Sequence, residues 1–376
     1  MNHSKAWLIG IVLAVAMIFS GCSGASNADE AADDTGSAND SENEAGADNE
    51  DGTENNEDGT ENDTASGSFP EQNITVIVPW DPGGGTDLTV RLLAEEMEDY
   101  LDTTITVVNT PGASGSIGTQ EAWNAKHDGY TIAGNGMMAF TSYRVMGYME
   151  QTFRDWHVWI ATFSPNVFAV HPDSGYSDIE ELIDAFKNDD VSVGTAGPGS
   201  GGHIGMEVAK AALGIDYRHT SYEGGNPAII ATMGREVDVT TQLSMEMIEM
   251  LRSGELIGLG SLHDSPFQVS DDVTIPCMGE IFSELEGSVP MGESFGIMVP
   301  NDVPDDVVAT IDEAFHAAVN SDSVKQFAEE NGVDILGYGG QEAQDFLEGL
   351  GSTVMWTLYE GDQAEVSPEE FDIPKP

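Results

Sequence analysis

The sequence predicts an α/β protein of two lobes, and three observations carry that prediction. An apolar alternation at Ile74, Val76 and Val78 stops at Pro79, passes through Gly83, Gly84 and Gly85, and resumes as a helical pattern at Leu88, Leu92 and Leu93. A second strand, glycine loop and helix follow at residues 191–195, 197–202 and 203–213. A late apolar strand at 294–299 then returns the chain to the first lobe. Strands separated by helices imply parallel pairing, and open α/β sheets bind ligands at the carboxyl ends of their strands.

The amino-terminal part is of another kind. Lys5, an uncharged apolar run over 6–19 and then Ser20, Gly21 and Cys22 follow the pattern of a cleaved secretory signal. The Cys directly after Ser-Gly predicts a lipoprotein signal, with Cys22 acylated and holding the protein to the membrane, although Phe19 stands where Leu is usual. The run is shorter than the roughly 20 residues a spanning helix needs. Residues 23–68 hold fifteen Asp or Glu, no Lys, Arg or aromatic residue, and EDGTEN twice, at 50–55 and 57–62. Such a segment cannot bury enough apolar surface to offset its ordering entropy, so it reads as a disordered acidic tether. Its Asp-Gly pairs lack the terminal Glu and the spacing of an EF-hand, and no metal is expected. The plan is therefore a signal at 1–22, a tether at 23–68, a first domain from 69–171 with 290–376, and a second domain at 172–289.

The tether does not account for the charge. Taking its acids and Lys5 from the chain's 67 acidic and 12 basic residues leaves 52 against 11, a net −41 on residues 69–376. Nucleic acid and anionic lipid headgroups are disfavoured as partners, because phosphate recognition needs clustered Lys and Arg. Concentrated salt would screen this self-repulsion, with a Debye length of about 3 Å at 1 M, so the composition predicts a halophilic protein. If Cys22 carries lipid, Cys277 has no partner and is read as a small buried residue rather than half of a disulfide.

Within the folded part, Gly83 to Gly85 let a ligand approach backbone N–H groups, and the helix behind them aims the positive end of its dipole at the loop. A carboxylate or phosphate fits there, although a Pro-Gly turn can equally just join strand to helix. The next strand, 104–108, runs into Asn109 and a loop whose Gly112, Gly115 and Gly118 do not have dinucleotide spacing. A short helix at 119–126 and a turn at Asp128-Gly129 lead to a strand ending at Asn135. A strand at 166–171 leaves the lobe. Residues 176–187 are helical in pattern, with Ile179, Leu182, Ile183 and Phe186 on one face and Ser177 and Glu180 placed as a capping box.

Gly197, Gly199 and Gly202 match GxGxxG after a strand, but a Rossmann site wants an acid ending the next strand, and Asp216 follows Gly214-Ile215 at a helix end. Residue 198 is Pro, so there is no GxSxG elbow, and no Walker lysine follows the loop; catalytic residues and cofactors are not expected. A helical turn at 228–233, strands at 236–239 and 256–262, and a methionine-rich core stretch with Met245, Met247, Met250 and Leu251 complete the second lobe. Helices at 305–320, 323–331 and 341–359 close the first, and the acidic tail after Gly361 reads as loose.

The loop PWDPGGGTD (79–87) resembles the signature of the Bug-type extracytoplasmic solute receptors, the binding component of tripartite tricarboxylate transporters. The resemblance continues in order through VVNTPGASGSIGTQEAWNAKHDGYTIAGN (107–135), SPNVFAVHPDSGYSDIEELI (164–183), GTAGPGSGGHIGMEVAKAALGID (194–216), TSYEGGNPAI (220–229) and SFGIMVPNDVP (294–304). It implies a type II periplasmic-binding-protein fold that closes like a hinge on an organic acid held by loop N–H groups and ordered water. It also implies delivery to a permease of one large and one small membrane subunit, outside the cytoplasm. Carried over residue by residue, it points to Trp80 (mostly Phe in the family), Gly84, Gly85, Thr86 and Asp87 in loop one, and to Ser200 and His203 in loop two. Asn109, Asn135 and Tyr222 are secondary candidates. Asp87 reads as a helix cap or water holder, and His203 equally as a packing residue. Glu223 stands where the family usually has Lys, which leaves the ligand's charge open. A sensor feeding a membrane signalling receptor and an α/β enzyme are the alternatives.

Overall fold

The computed structural model describes residues 69–222 and 224–376; the signal segment, Cys22, the acidic tether and Glu223 lie outside the described residues. The alternation at 74–78 forms β1 (Ile74–Val78), followed by α1 (Gly85–Leu101), β2 (Ile105–Asn109), α2 (Ser116–Asn124), β3 (Thr131–Gly136) and α3 (Met137–Ser142). β1 runs parallel to β2 and to β3, so that Val78 pairs with Asn109 and Ile77 with Ala133. α1 presents Val90, Leu93, Ala94 and Met97 at helical spacing to the apolar layer behind this sheet.

The long β4 (Trp156–Pro165) crosses towards the second lobe. A single residue, Asn166, separates it from β5 (Val167–Val170), which belongs to another sheet. There follow α4 (Ile179–Asn188), β6 (Ser192–Thr195), α5 (Gly201–Leu213), β7 (Arg218–Ser221), α6 (Gly225–Met233), β8 (Val239–Thr240), α7 (Ser244–Ser253) and β9 (Ile257–Ser261). A small ladder of β10 (Phe267–Ser270) and β11 (Val273–Ile275) and the short α8 (Met278–Ile281) lead back through β12 (Gly292–Pro300). Then α9 (Asp305–Val319), α10 (Asp322–Asn331), β13 (Asp334–Tyr338) and α11 (Gly340–Glu360) finish the first lobe. The described residues thus make a six-stranded sheet in the order β13-β4-β12-β3-β1-β2 and a five-stranded one in the order β7-β6-β8-β5-β9.

β12 is antiparallel to both β3 and β4 and is buried along its whole length, so the returning strand is the centre of the first sheet. The two crossings are stitched together at one level. The Asn166 N–H donates to Met291 O (3.1 Å), the Met291 N–H to Leu262 O (2.7 Å) and the Leu262 N–H to Asn166 O (2.9 Å).

Three local expectations need correction. The cap of α4 is Asp178, which accepts the Glu181 N–H at 2.9 Å, while Ser177 bonds the Glu181 carboxylate; the capping pattern sits one residue later than Ser177 and Glu180. The strand expected at 236–239 shrinks to Val239–Thr240, because Arg235 turns left-handed (φ 57°) and the Glu236 N–H still bonds Ala231 O. The tail after Gly361 is docked rather than loose: Ile373 is buried, and the carbonyl of Pro374 accepts from Ser352 Oγ (2.6 Å) and Trp356 Nε1 (2.9 Å). Cys277 is buried and free, its thiol donating to His263 O.

Candidate functional site

Loop one is braced by its own polar side chains. Trp80 Nε1 donates to Asn135 Oδ1 (2.8 Å), and the Asn109 amide donates to Trp80 O (2.9 Å) and to Asp87 Oδ1 (2.8 Å). Asp87, 2% exposed, also accepts the Gly83 N–H at 2.9 Å and pairs with Arg91, whose guanidinium reaches on to Asn109 Oδ1. Burial alone would raise the Asp87 carboxyl; the Arg91, Gly83 and Asn109 donors more than offset it and hold the group below its usual range. Asp87 is therefore an ionised post that shapes the loop from inside.

Asn135 is fully buried and saturated. Its Oδ1 accepts from Trp80 and from the Gly136 N–H, and its amide donates to Thr119 Oγ1 and Tyr143 Oη. The indole of Trp80 lies against Gly115, where φ is 91° and a Cβ would stand 2.9 Å from Trp80 Cζ2, so that position needs glycine on both counts. Trp80, Asn109, Asn135 and Asp87 thus form one hydrogen-bonded frame, with no side-chain polar atom of Asn109 or Asn135 left to spare for a ligand.

What the frame leaves open is the start of α1. Gly84 is its N-cap and supplies no side-chain cap, so the first-turn N–H groups at Gly85, Thr86 and Asp87 go without a capping side chain. Gly85 sits directly at the boundary between the lobes. A Cβ there would stand 2.7 Å from Met245 Sδ of α7 and 2.9 Å from Phe295 Cζ of β12.

Loop two is built differently. Ser200 caps α5, accepting the His203 N–H at 3.3 Å while its hydroxyl donates to Gly197 O at 2.7 Å. His203, 2% exposed, accepts the Gly199 N–H at Nδ1 (3.2 Å), which fixes the proton on Nε2, and stacks on His219 with ring centres 4.7 Å apart. Burial, with His219 and Lys210 nearby, pushes its pKa down to about 4, so it is a neutral clamp on the loop. Tyr222 lays its ring over Gly194, 3.2 Å from where a Cβ would be, and its N–H bonds Thr195 O. With Ser200 Oγ and the Ser200 carbonyl bonding the N–H groups of His203 and Ile204, the first-turn N–H groups of Gly201 and Gly202 are left over.

The two loops meet at one junction. Gly201 lies beside Leu243 and Glu293, and Gly85 beside Met245 and Phe295, so α5 and α1 both abut the segment 243–245 and β12. Leu243, Met245 and Phe295 form a single apolar cluster there. Three polar residues at this junction were not singled out from the sequence: Gln242, Glu246 and Glu293. Glu293 lies one residue before the segment SFGIMVPNDVP, inside a run that otherwise reads as a buried strand. An acid in such a run is the signal that would have found it. Beside the junction a groove of about 450 Å³ runs along α7 to the end of α10, lined by Met245, Glu246, Glu249 and Arg252 among others.

A sequence model of the family described as tripartite tricarboxylate transporter family receptor matches residues 89–350, beginning just after Asp87. A UPF0065 protein of Bordetella pertussis is 29% identical over 287 residues, covering 75% of this chain and 87% of that protein. Among solved structures, MatC from Rhodopseudomonas palustris with bound malate aligns at a TM-score of 0.64 and 21% identity, covering 79% of this chain and 100% of that one. A second R. palustris protein, with adipate, aligns at 0.66 and 22% with the same coverage. At these identities the structures speak for the fold, that of the periplasmic binding proteins.

Proposed function

Because the chain belongs to the tripartite tricarboxylate transporter receptor family, a family of extracytoplasmic solute-binding receptors and not of enzymes, we propose that it captures a small organic acid between its lobes and delivers it to a tripartite-type permease. The observation that carries this reading is the convergence of two glycine starts, on α1 and α5, at one junction between the lobes. Leftover N–H groups and the two helix dipoles there favour a carboxylate, with no Arg or Lys clamp. In concentrated salt, sheltered backbone donors keep more of their strength than exposed cations would. Malate in one structural neighbour and adipate in another are ligands of the same chemistry.

The permease, one large and one small membrane subunit, would read the closed state. Attachment through lipid at Cys22 would keep the receptor close to it, and Cys22→Ala should move the protein from the membrane to the soluble fraction.

Titration calorimetry with a panel of organic acids in molar NaCl tests the reading, with submillimolar binding of at least one acid expected. Thr86→Pro removes one first-turn N–H while keeping a helical φ, and should weaken that acid by about 1 to 3 kcal/mol. No binding by any acid, or unchanged affinity in the Thr86 variant, would take loop one out of the site.

A further inference from the structure

The junction carries two acids that no cation among the described residues answers. Glu293 enters from β12 of the first lobe, 5% exposed; its Oε1 accepts the Met138 N–H at 2.6 Å, and its Oε2 stands 3.5 Å from where a Cβ on Gly201 would be. Glu246, in the first turn of α7 in the second lobe, holds its carboxylate against Gly225 at the start of α6, where a Cβ would meet Oε2 at 2.5 Å. Burial pushes Glu293 up to about 8, the Glu246 charge adding to it, and pushes Glu246 up to about 7. No Lys or Arg contributes at either group. Two carboxylates that feel each other's charge without a Lys or Arg beside them are a cost to the folded state, and one that a cationic ligand would lower.

A separate observation points the same way. Gln242, 1% exposed, lies against Gly202 at the start of α5, next to the Gly201 that faces Glu293, and its buried Nε2 has no hydrogen-bond partner among the described residues. A buried amide donor left unmade costs about as much as a hydrogen bond is worth, and is usually answered by something bound. Unanswered donors (Gln242 Nε2, the N–H groups of Gly201 and Gly202) therefore lie near two carboxylates, Glu293 and Glu246, that accept backbone N–H groups but have no cationic partner among the described residues. A plain dicarboxylate would satisfy the donors and bring more negative charge to the acids.

We propose that Glu293 and Glu246 form a cation subsite, so that the cleft selects organic acids that also carry a protonated amine, that is, amino acids, over their amine-free counterparts. The carboxylate goes to the start of α5 and Gln242, and the ammonium lies between the two acids, one from each lobe. Closure then brings both acids to the same charge, and the ligand couples the lobes. This rests on the carboxylate reading of the cleft given above.

The test is calorimetry in molar NaCl with three matched pairs that differ only by the amine: L-aspartate and succinate, L-glutamate and glutarate, L-leucine and 4-methylpentanoate. In the wild-type protein at least one amino acid should bind tenfold or more tightly than its partner, and Glu293→Gln and Glu246→Gln should each shrink that ratio at least fivefold, with unchanged circular dichroism as the check on folding. The wild-type ratios need no variant, so a misfolded mutant does not shield the inference. Plain acids binding as tightly as their amino partners, or ratios unmoved in both variants, overturn this inference and leave the carboxylate receptor standing. No binding by any of the six overturns this inference, and the carboxylate receptor falls with it only if the wider acid panel also fails to bind.

Discussion

Asn135 shows how a single buried side chain can brace a glycine loop from behind. It answers four polar groups at once, among them the indole N–H of Trp80 and the Gly136 N–H. Asn135→Ala should cost about 2 to 4 kcal/mol in denaturant unfolding, because the partners stay buried and unmet; a loss under 1 kcal/mol would mean that water replaces the amide. His203 makes a prediction of opposite kind. Its folded pKa lies below the ordinary 6.5, so the folded state binds fewer protons than the unfolded one, and stability falls as pH drops from about 6.5 towards 4. That single group accounts for a loss of about 3 kcal/mol. His263 is shifted the other way, upward, by Asp334 chiefly, and its contribution is present in acid and fades as pH rises through its folded pKa. Followed by NMR, the His263 imidazole should therefore titrate before that of His203 as the sample is acidified; the reverse order would refute both environments.

At the scale of elements, the starts of the helices matter more than their lengths. Gly85 is the point at which α1 meets the second lobe, and Gly85→Ala would drive a methyl group against Met245 and Phe295. Overpacking of this kind costs about 1 to 3 kcal/mol, and because Phe295 belongs to the same lobe as Gly85, part of that cost remains however the lobes are arranged. The melting temperature of the free protein should therefore fall by a few degrees, read by thermal unfolding; an unchanged value would show that Met245 and Phe295 move aside for the methyl group. The glycine loops and the strands before them were legible because the turn chemistry and the switch of period are local. The cap of α4 falls one residue later than the pattern predicts because Ser177 and Asp178 are both good caps and only the geometry chooses between them. The docked tail escapes a reading by composition because an acidic, Pro-containing end looks solvated, yet Ile373 and the Pro374 carbonyl find Trp356 and Ser352 in α11. Truncation after Gly361 should lower stability by about 2 to 4 kcal/mol, read by denaturant unfolding, since it uncovers Trp356.

For the whole molecule, the acidic excess governs behaviour. With 52 acids against 11 basic residues beyond position 68, raising NaCl from 0.1 to 3 M should raise the melting temperature by ten degrees or more, and a flat profile would show that the surface charges are already balanced by placement. The switches from strand to helix period made the two-lobed class readable from residues alone, and the resemblance at residues 79–87 and 194–216 directed attention to the two loops. Glu293 is marked only by its being an acid inside a buried run, and no spacing rule links it to Gln242 and Glu246, which come from the other lobe some fifty residues earlier and meet it only in the folded chain.

The crossing residue Asn166 has one more consequence. Its backbone joins the two sheets, while its side-chain amide donates to Gly201 O and Thr241 O, at the first turn of α5 and beside Gln242. Axle and latch are thus one residue. Were the lobes to swing about this pivot, the motion would pull on the very turn proposed to grip a bound anion, and opening would itself loosen the grip.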